Sequence, residues 1–444
     1  MASGIGGREA APEETRRLVG LGFGAIQAGL FVYEAQRTGA YAPPLVIDVR
    51  ADLVAGIRAA GGRCRVNIAR SDRIDVAEIG PLAIADATVA GDRARIVDAI
   101  AEADELAIAL PSVAHYQSDS SASPHTLLAE AIAQRARTRP LVVYCAENHR
   151  NAAAVLAAVV AEALGPGKRD LLRSRVILVD TVIGKMSGVV TDPAEIEALG
   201  LATVTPELPW AFLVEEFDRI LVSGLDAGHP PAPGVESLHP GIPVLREVDD
   251  LAPFEDAKLL GHNATHALAG FLGSLLGLRL VADLADVPGA MAFLRAAFIE
   301  ESGGALIVRH AGADELFTRT SYAAFADDLL ARMVNPYLAD TIERAARDPL
   351  RKLAWDDRLT ALLRLGLASG VAMPRFAMGV AACVEILRRG DPEAGVDDLE
   401  RLRRCWPRDV DDAEAGAVLA VVAEGIERLS RWRRDGFEGL ALDR

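Results

Sequence analysis

Three polar residues, Lys258, Asn263 and His266, interrupt the otherwise apolar stretch Lys258-Leu-Leu-Gly-His-Asn263-Ala-Thr-His266. On a helix of about 3.6 residues per turn they fall within an arc of about 140°, and Asn263 and His266 are i,i+3 neighbours. A lysine, an amide and an imidazole on one face could handle a secondary alcohol during its oxidation. The lysine takes the hydroxyl proton if partial burial lowers its pKa. The amide donates to the oxygen as it becomes a carbonyl, and the imidazole holds a neighbouring hydroxyl. A core helix with a snorkelling lysine and two satisfied polar side chains would carry the same residues. The surrounding elements therefore decide what the set means.

The first half of the chain alternates β-like runs with helical stretches. Strands are expected at Leu18–Leu21, Leu45–Val49, Leu106–Leu110, Leu141–Cys145 and Val176–Val179. Amphipathic or alanine-rich segments such as Ala25–Thr38 and Ala152–Leu164 lie between several of them, the pattern of a parallel sheet with crossover helices. From Gly224 to Val244 the chain is rich in Gly, Pro and His and reads as a long connection. Beyond it nearly everything reads as helix, including Lys258–Leu278, Pro288–Glu301, Tyr322–Met333 and Pro336–Arg347. The expected fold is α/β: a Rossmann-type dinucleotide-binding domain over residues 16–240, then an all-helical domain over 241–444 that carries the Lys/Asn/His helix.

The first strand runs into Gly22-Phe23-Gly24-Ala25-Ile26-Gln27-Ala-Gly29, which opens a helix. Gly22 and Gly24 permit a tight turn and close approach to a pyrophosphate at the helix N-terminus, with Phe23, Ala25 and Ile26 contributing the rest of the turn. Gln27 stands where the usual fingerprint has its third glycine. The next strand ends in Asp48, placed to accept from the adenosine ribose hydroxyls and to repel a 2′-phosphate, which favours NAD over NADP. Arg50 partly offsets that repulsion. Pro111 and Ser112, after a later strand, are expected under the cofactor from their position.

Composition bounds the alternatives. A net charge of −16 argues against sequence-independent nucleic-acid binding. The four cysteines lie far apart and read as free thiols in a reducing compartment. No Cys/His cluster suggests a metal. Met1 to Glu14 lacks the apolar centre of a signal peptide and reads as a frayed tail, while the run Ala267 to Leu278 is too short to cross a bilayer. A cytoplasmic protein is expected, with no membrane partner. The absence of an obvious exposed apolar stripe favours a monomer.

With the GxG turn, Asp48 and the Lys-x4-Asn-x2-His spacing of Lys258, Asn263 and His266, the chain resembles the long-chain polyol dehydrogenases. Cys145-Ala-Glu147-Asn148 is similar to that family's Cys-x-x-Asn strand end. The block Asn335-Pro-Tyr-Leu-Ala-Asp340 through Arg344, Arg347-Asp-Pro-Leu-Arg351-Lys352-Leu to Asp357-Arg358, with Glu300-Glu-Ser-Gly303 before it, resembles the mannitol-1-phosphate 5-dehydrogenase branch. The resemblance implies NAD as cofactor, Lys258 as acid/base, and Asn148 with Asn263 holding the reacting oxygen. Where the family has Val-Asp-Arg-Ile, this chain reads Ile183-Gly184-Lys185-Met186, so an acid on the substrate side is missing at Gly184.

Arg347, Arg351 and Lys352 are the candidates for holding the far end of the substrate or its phosphate. Asp340–Arg344, Glu343–Arg347 and Arg344–Asp348 have i,i+4 spacing and would equally suit a solvated helix face. Asp348-Pro349 is a helix-start signal that puts Arg351 and Lys352 in a first turn, where cations oppose the helix dipole unless an anion is near. The expected activity is interconversion of a polyol, or polyol phosphate, with its ketose. The same chemistry on a sugar acid, free pentitol or carbasugar, an opine-type reductase and a non-catalytic NAD-binding sensor remain as alternatives.

Overall fold

The structure is a computed structural model and describes residues 15–225, 238–389 and 396–437; the tail Met1 to Glu14 and most of the Gly/Pro/His-rich connection lie outside them. The chain divides into two compact units, Met1–Leu251 and Ala252–Arg444.

Among the described residues, twelve strands occupy the first unit: β1 (Leu18–Leu21), β2 (Leu45–Asp48), β3 (Cys64–Ala69), β4 (Ile74–Ile79), β5 (Ala83–Asp86), β6 (Glu105–Ile108), β7 (Leu141–Cys145), β8 (Val176–Val182), β9 (Ser187–Val190), β10 (Ala211–Glu215), β11 (Ile220–Ser223) and β12 (Leu245–Val248). Eight form one sheet in the order β12-β11-β8-β7-β6-β1-β2-β5. The six from β8 to β5 run parallel. From β1 the chain moves outward to β2 and β5, then returns to β6 on the other side of β1. The order therefore reverses between β1 and β6, and in open α/β sheets ligands bind beyond the strand ends at such a point.

The short central strands are buried on both faces, which is why they read as apolar runs. Val19, Leu21, Leu45 and Ile47 face a core shared with the helices Ala90–Glu102, Pro124–Gln134 and Ala152–Leu164. Leu18 and Val46 face the opposite core with Phe31, Val54 and Phe212. The alternation follows the two-residue period of a strand. A second sheet, β4-β3-β10-β9, covers that opposite side and has no counterpart in the expected elements.

The second unit is helical around its own core. Three expected helices are interrupted, Pro288–Glu301 by a π-helical turn, Ala297–Gly303, that follows the α-helix Ala290–Ala296. Pro336–Arg347 is a short 3₁₀ turn, Pro336–Leu338, then a left-handed Ala339 at φ 46°, then the helix Ile342–Ala346. Lys258–Leu278 is a π-helical turn, Ala257–His262, running into the α-helix Asn263–Leu276. Among the described residues no helix is long and apolar enough to cross a membrane.

Candidate active site

The turn after β1 is built to be tight. Gly22 has φ +83°, and a Cβ there would sit 2.6 Å from the carbonyl oxygen of Ala109. Its N–H donates to Ile47 O at 2.8 Å. A Cβ on Gly24 would meet nothing within 4 Å, so the turn opens onto free space at the head of the helix spanning residues 25–38. Those features suit a phosphate at a helix N-terminus. Ala25 is buried and Ile26 half-buried, both serving the packing of the helix start. Phe23 is buried edge-to-face against Phe212, so it offers backbone rather than side chain. Gln27 is also buried, folded over Gly20, and neither of its amide atoms has a hydrogen-bond partner. Gly29 takes the close-packing role, since a Cβ there would lie 2.8 Å from Val214 Cγ2.

Asp48 closes this turn from the end of β2. Its Oδ2 accepts from Phe23 N–H at 2.8 Å, and its Oδ1 accepts from Arg50 N–H at 2.9 Å and Arg50 Nε at 3.2 Å. Arg50 Nη2 reaches Phe23 O at 3.0 Å. The pair clamps the turn, and a ribose hydroxyl would share the carboxylate with Arg50.

The loop after β6 carries exposed Pro111 and half-buried Ser112, whose Oγ accepts from Ala114 N–H at 3.2 Å and caps the short helix Val113–Tyr116. Asn148 is exposed just beyond β7. Its neighbour Glu147 is buried and was not singled out by sequence reasoning. Glu147 Oε1 accepts from Leu110 N–H at 2.9 Å and its Oε2 from the Tyr116 hydroxyl, so one carboxylate ties the β6 loop to the β7 end. Burial pushes its pKa up to about 7, against the lowering effect of those bonds.

In the second unit, the helix that carries Lys258, Asn263 and His266 on one face is not uniformly α-helical as expected. The N–H of Asn263 donates to the carbonyl of Lys258, an i→i+5 bond. One π-turn closes between the two residues and brings them nearer in angle about the helix axis than a regular α-helix would. Asn263 and His266 keep their i,i+3 relation on the α-helical continuation. Single π-turns inside α-helices are uncommon and recur at functional sites. Lys258 is half-buried, and desolvation lowers its pKa to about 8; Glu255 opposes that shift and Arg358 adds to it.

His266 Nε2 lies 2.5 Å from Asp340 Oδ2, and Arg344 Nη1 lies 3.2 Å from Asp340 Oδ1. Burial works against ionisation of Asp340, but His266 and Arg344 outweigh it and hold its carboxyl below the usual range. An ionised carboxylate only accepts, so Nε2 carries the proton of that bond. His262, with its ring 6.4 Å from that of His266, is kept neutral mainly by burial, with nearby cations adding to the effect. The expected Asp340–Arg344 pair forms, whereas sequence reasoning missed the bond of Asp340 to His266 and passed over His262. The signals were a histidine beside Asn263 and an acid that precedes its helix.

The proposed anion-holding residues separate. Arg347 and Arg351 are largely exposed, each 3.7 Å from the Asp348 carboxylate. Asp348 sits at the expected helix start but makes no side-chain cap bond. Lys352 is buried, donating to the carbonyls of Ala345 at 2.7 Å and of Arg347, with Nζ 5.5 Å from the Phe271 ring centre. Two of its three donors hold the end of the helix Ile342–Ala346. Arg358, also buried, donates to Asp357 Oδ1 at 2.8 Å.

Comparison with known proteins agrees with this architecture. A D-sorbitol dehydrogenase solved in substrate-free form is similar over 96% of this chain and 97% of that one, with a TM-score of 0.72 at 14% identity. Pseudomonas fluorescens mannitol 2-dehydrogenase, solved as a ternary complex with NAD and D-mannitol, is similar over 98% of both chains, with a TM-score of 0.67 at 18% identity. At such identities the likeness speaks for the fold. Residues 250–413 match the mannitol dehydrogenase C-terminal domain, so the helical half of the chain is similar to that domain.

Proposed function

We propose that the protein is an NAD-dependent dehydrogenase that interconverts a secondary alcohol of a polyol, or polyol phosphate, with the corresponding ketose. The observation that carries this reading is the π-turn closing between Asn263 and Lys258, a lysine whose pKa is lowered to about 8. Near that pH the amine can both take and return a proton, which a reversible acid/base group requires. Lys258 accepts the hydroxyl proton in oxidation and returns it in reduction. Asn263 donates to the oxygen as its double bond forms, and Asn148 is the candidate second amide. His266, with its tautomer set by Asp340, accepts from a neighbouring hydroxyl through Nδ1.

The open turn at Gly22 and Gly24, with Asp48 beside it, suits a dinucleotide, and the similar mannitol 2-dehydrogenase was solved with NAD. A bound nicotinamide supplies the hydride acceptor or donor. Arg351 and the remaining donor of Lys352 are the groups offered to the far end of the substrate. A phosphate there would draw Arg347 and Arg351 away from Asp348.

NADH oxidation followed by absorbance tests the reading with fructose and fructose 6-phosphate as a matched pair, then other ketoses and uronates. Preference for the phosphorylated ketose would support a phosphate at Arg351 and Lys352. Turnover of the unphosphorylated sugar would keep the mechanism without it. Bound NADH with no turnover on any of these compounds would count against the polyol reading.

A further inference from the structure

The stretch Glu300-Glu-Ser-Gly303 has no part in the mechanism above, yet it reaches the lysine-bearing turn. It closes a second π-turn, Ala297–Gly303, in which two neighbouring side chains point to different partners. Glu301 accepts from the N–H groups of Arg375 and Phe376, anchoring the start of the helix Pro374–Arg389. Ser302 is buried, and its Oγ lies 3.0 Å from the carbonyl oxygen of Leu260, inside the turn that carries Lys258.

That carbonyl lies where the helix changes its bonding pattern. Where a helix passes from i→i+5 back to i→i+4 bonding, the carbonyls outnumber the N–H groups by one. A buried carbonyl left without a donor is unfavourable, so the uncompensated turn would tend to relax to regular α-helix. After the i→i+5 bond of Asn263 to Lys258, the return to α-bonding skips one carbonyl of the Leu259–Leu260 pair, and Leu260 is the one that receives the serine proton. The Ser302 hydroxyl has one proton, and a carbonyl only accepts, so that proton goes to Leu260. The Tyr322 hydroxyl, 3.3 Å from Ser302 Oγ, then donates to the serine. The result is a short polarised chain, Tyr322 to Ser302 to Leu260.

Packing enforces the same arrangement. A Cβ at Gly261 would lie 2.6 Å from Tyr322 Oη and 3.0 Å from Phe298 Cε2. A Cβ at Gly303 would lie 2.7 Å from Tyr322 Cδ1. Glycines on both facing turns let the Tyr322 ring sit between them.

We propose that Ser302, backed by Tyr322, is a positioning residue that holds the π-turn and thereby keeps Lys258 close to Asn263 in angle about the helix axis. This deepens the acid/base assignment of Lys258 and rests on it for its catalytic consequence. The structural consequence does not depend on that assignment. Without the serine proton, the Leu260 carbonyl competes for N–H groups already in use, and the turn shifts by one residue. Lys258 then swings about the helix axis away from Asn263.

The test uses the full-length protein and variants Ser302→Ala, Ser302→Thr and Tyr322→Phe. The pH dependence of Lys258 acetylation by acetic anhydride, read by peptide mass spectrometry, needs no substrate. Hydrogen exchange over residues 260–266 needs none either. In Ser302→Ala the labelling midpoint should rise from about 8 towards that of an ordinary lysine, and exchange in this segment should quicken. On whichever polyol the wild type turns over, kcat should fall about tenfold to a hundredfold with the KM for NADH unchanged. Ser302→Thr, which keeps the hydroxyl, should recover the midpoint. If Ser302→Ala does not fold, Tyr322→Phe gives the same readouts with smaller shifts. An unchanged midpoint and unchanged exchange overturn the proposal, even if kcat drops. A shifted midpoint in a protein that oxidises no polyol would sustain it while removing the proposed function.

Discussion

The carboxylate of Asp340 accepts from His266 Nε2 at 2.5 Å although the two residues stand 74 positions apart in the chain. Asp340 is buried just before its own helix, and Arg344 holds its other oxygen. The imidazole thus has both its orientation and its tautomer fixed by a group that need not touch substrate. Asp340→Asn keeps the shape and removes the charge, so the amide no longer enforces a proton on Nε2. The expected loss is about 1.5–3 kcal/mol, the worth of a hydrogen bond to a charged group, or roughly ten- to a hundredfold in kcat/KM for the polyol. The KM for NADH should stay within error of wild type. A variant with unaltered kcat/KM would remove His266 from the substrate side.

Lys258 makes a signed prediction about pH. Oxidation needs the neutral amine, so its kcat/KM should rise as pH passes through about 8 and then level off. Reduction needs the ammonium and should fall over the same interval. Lys258→Ala should abolish both limbs and lower turnover by about 10²- to 10⁴-fold, while NADH fluorescence titration still reports binding. Profiles that run parallel in the two directions would mean another group carries the proton.

Sequence legibility differed from strand to strand. β1 and β7 were expected at their observed limits because strands covered on both faces are continuous apolar runs. β3 and β4 read Cys-Arg-Val-Asn-Ile-Ala and Ile-Asp-Val-Ala-Glu-Ile, and their polar content concealed the second sheet. The Lys258 helix was legible as a helix. Its π-turn was not, since a fixed 3.6-residue period cannot register one inserted residue; Gly261 between Tyr322 and Phe298 was the only local hint. The basic run at residues 347–352 shows the opposite limit. Charge spacing alone does not reveal that Lys352 turns inward to main-chain carbonyls while Arg351 stays at the surface.

Arg50 and Asp48 should act on cofactor choice in opposite senses. Arg50 occupies acceptor positions on Asp48 and sets a positive charge beside the carboxylate that would repel a 2′-phosphate. Arg50→Ala should free the carboxylate for ribose hydroxyls and raise the ratio of kcat/KM for NADH over NADPH several-fold. Asp48→Asn should lower that ratio, by about the 1.5–3 kcal/mol of a charged hydrogen bond. Equal ratios in all three proteins would show that the ribose does not reach this pair.

Glu147 links stability to pH in a direction opposite to that of most carboxylates. Burial raises its pKa from the ordinary value of 4.5 to about 7. Between those values the folded protein holds a proton that the unfolded chain has released. The stabilisation is therefore complete below about 4.5 and is lost as pH rises through about 7. Glu147→Gln cannot ionise, and its amide can still accept from Leu110 N–H while donating to the Tyr116 hydroxyl. Relative to wild type, the variant should gain stability as pH rises from 5 to 8, by an amount on the order of a few kcal/mol at the plateau. Melting temperatures of both proteins across that range provide the check. Parallel curves would mean that Glu147 titrates like a surface acid and that the β6 loop is held by other contacts. Curves that diverge through pH 7 would identify this carboxyl as the acid joining the loop of Pro111 and Ser112 to the strand end that carries Asn148.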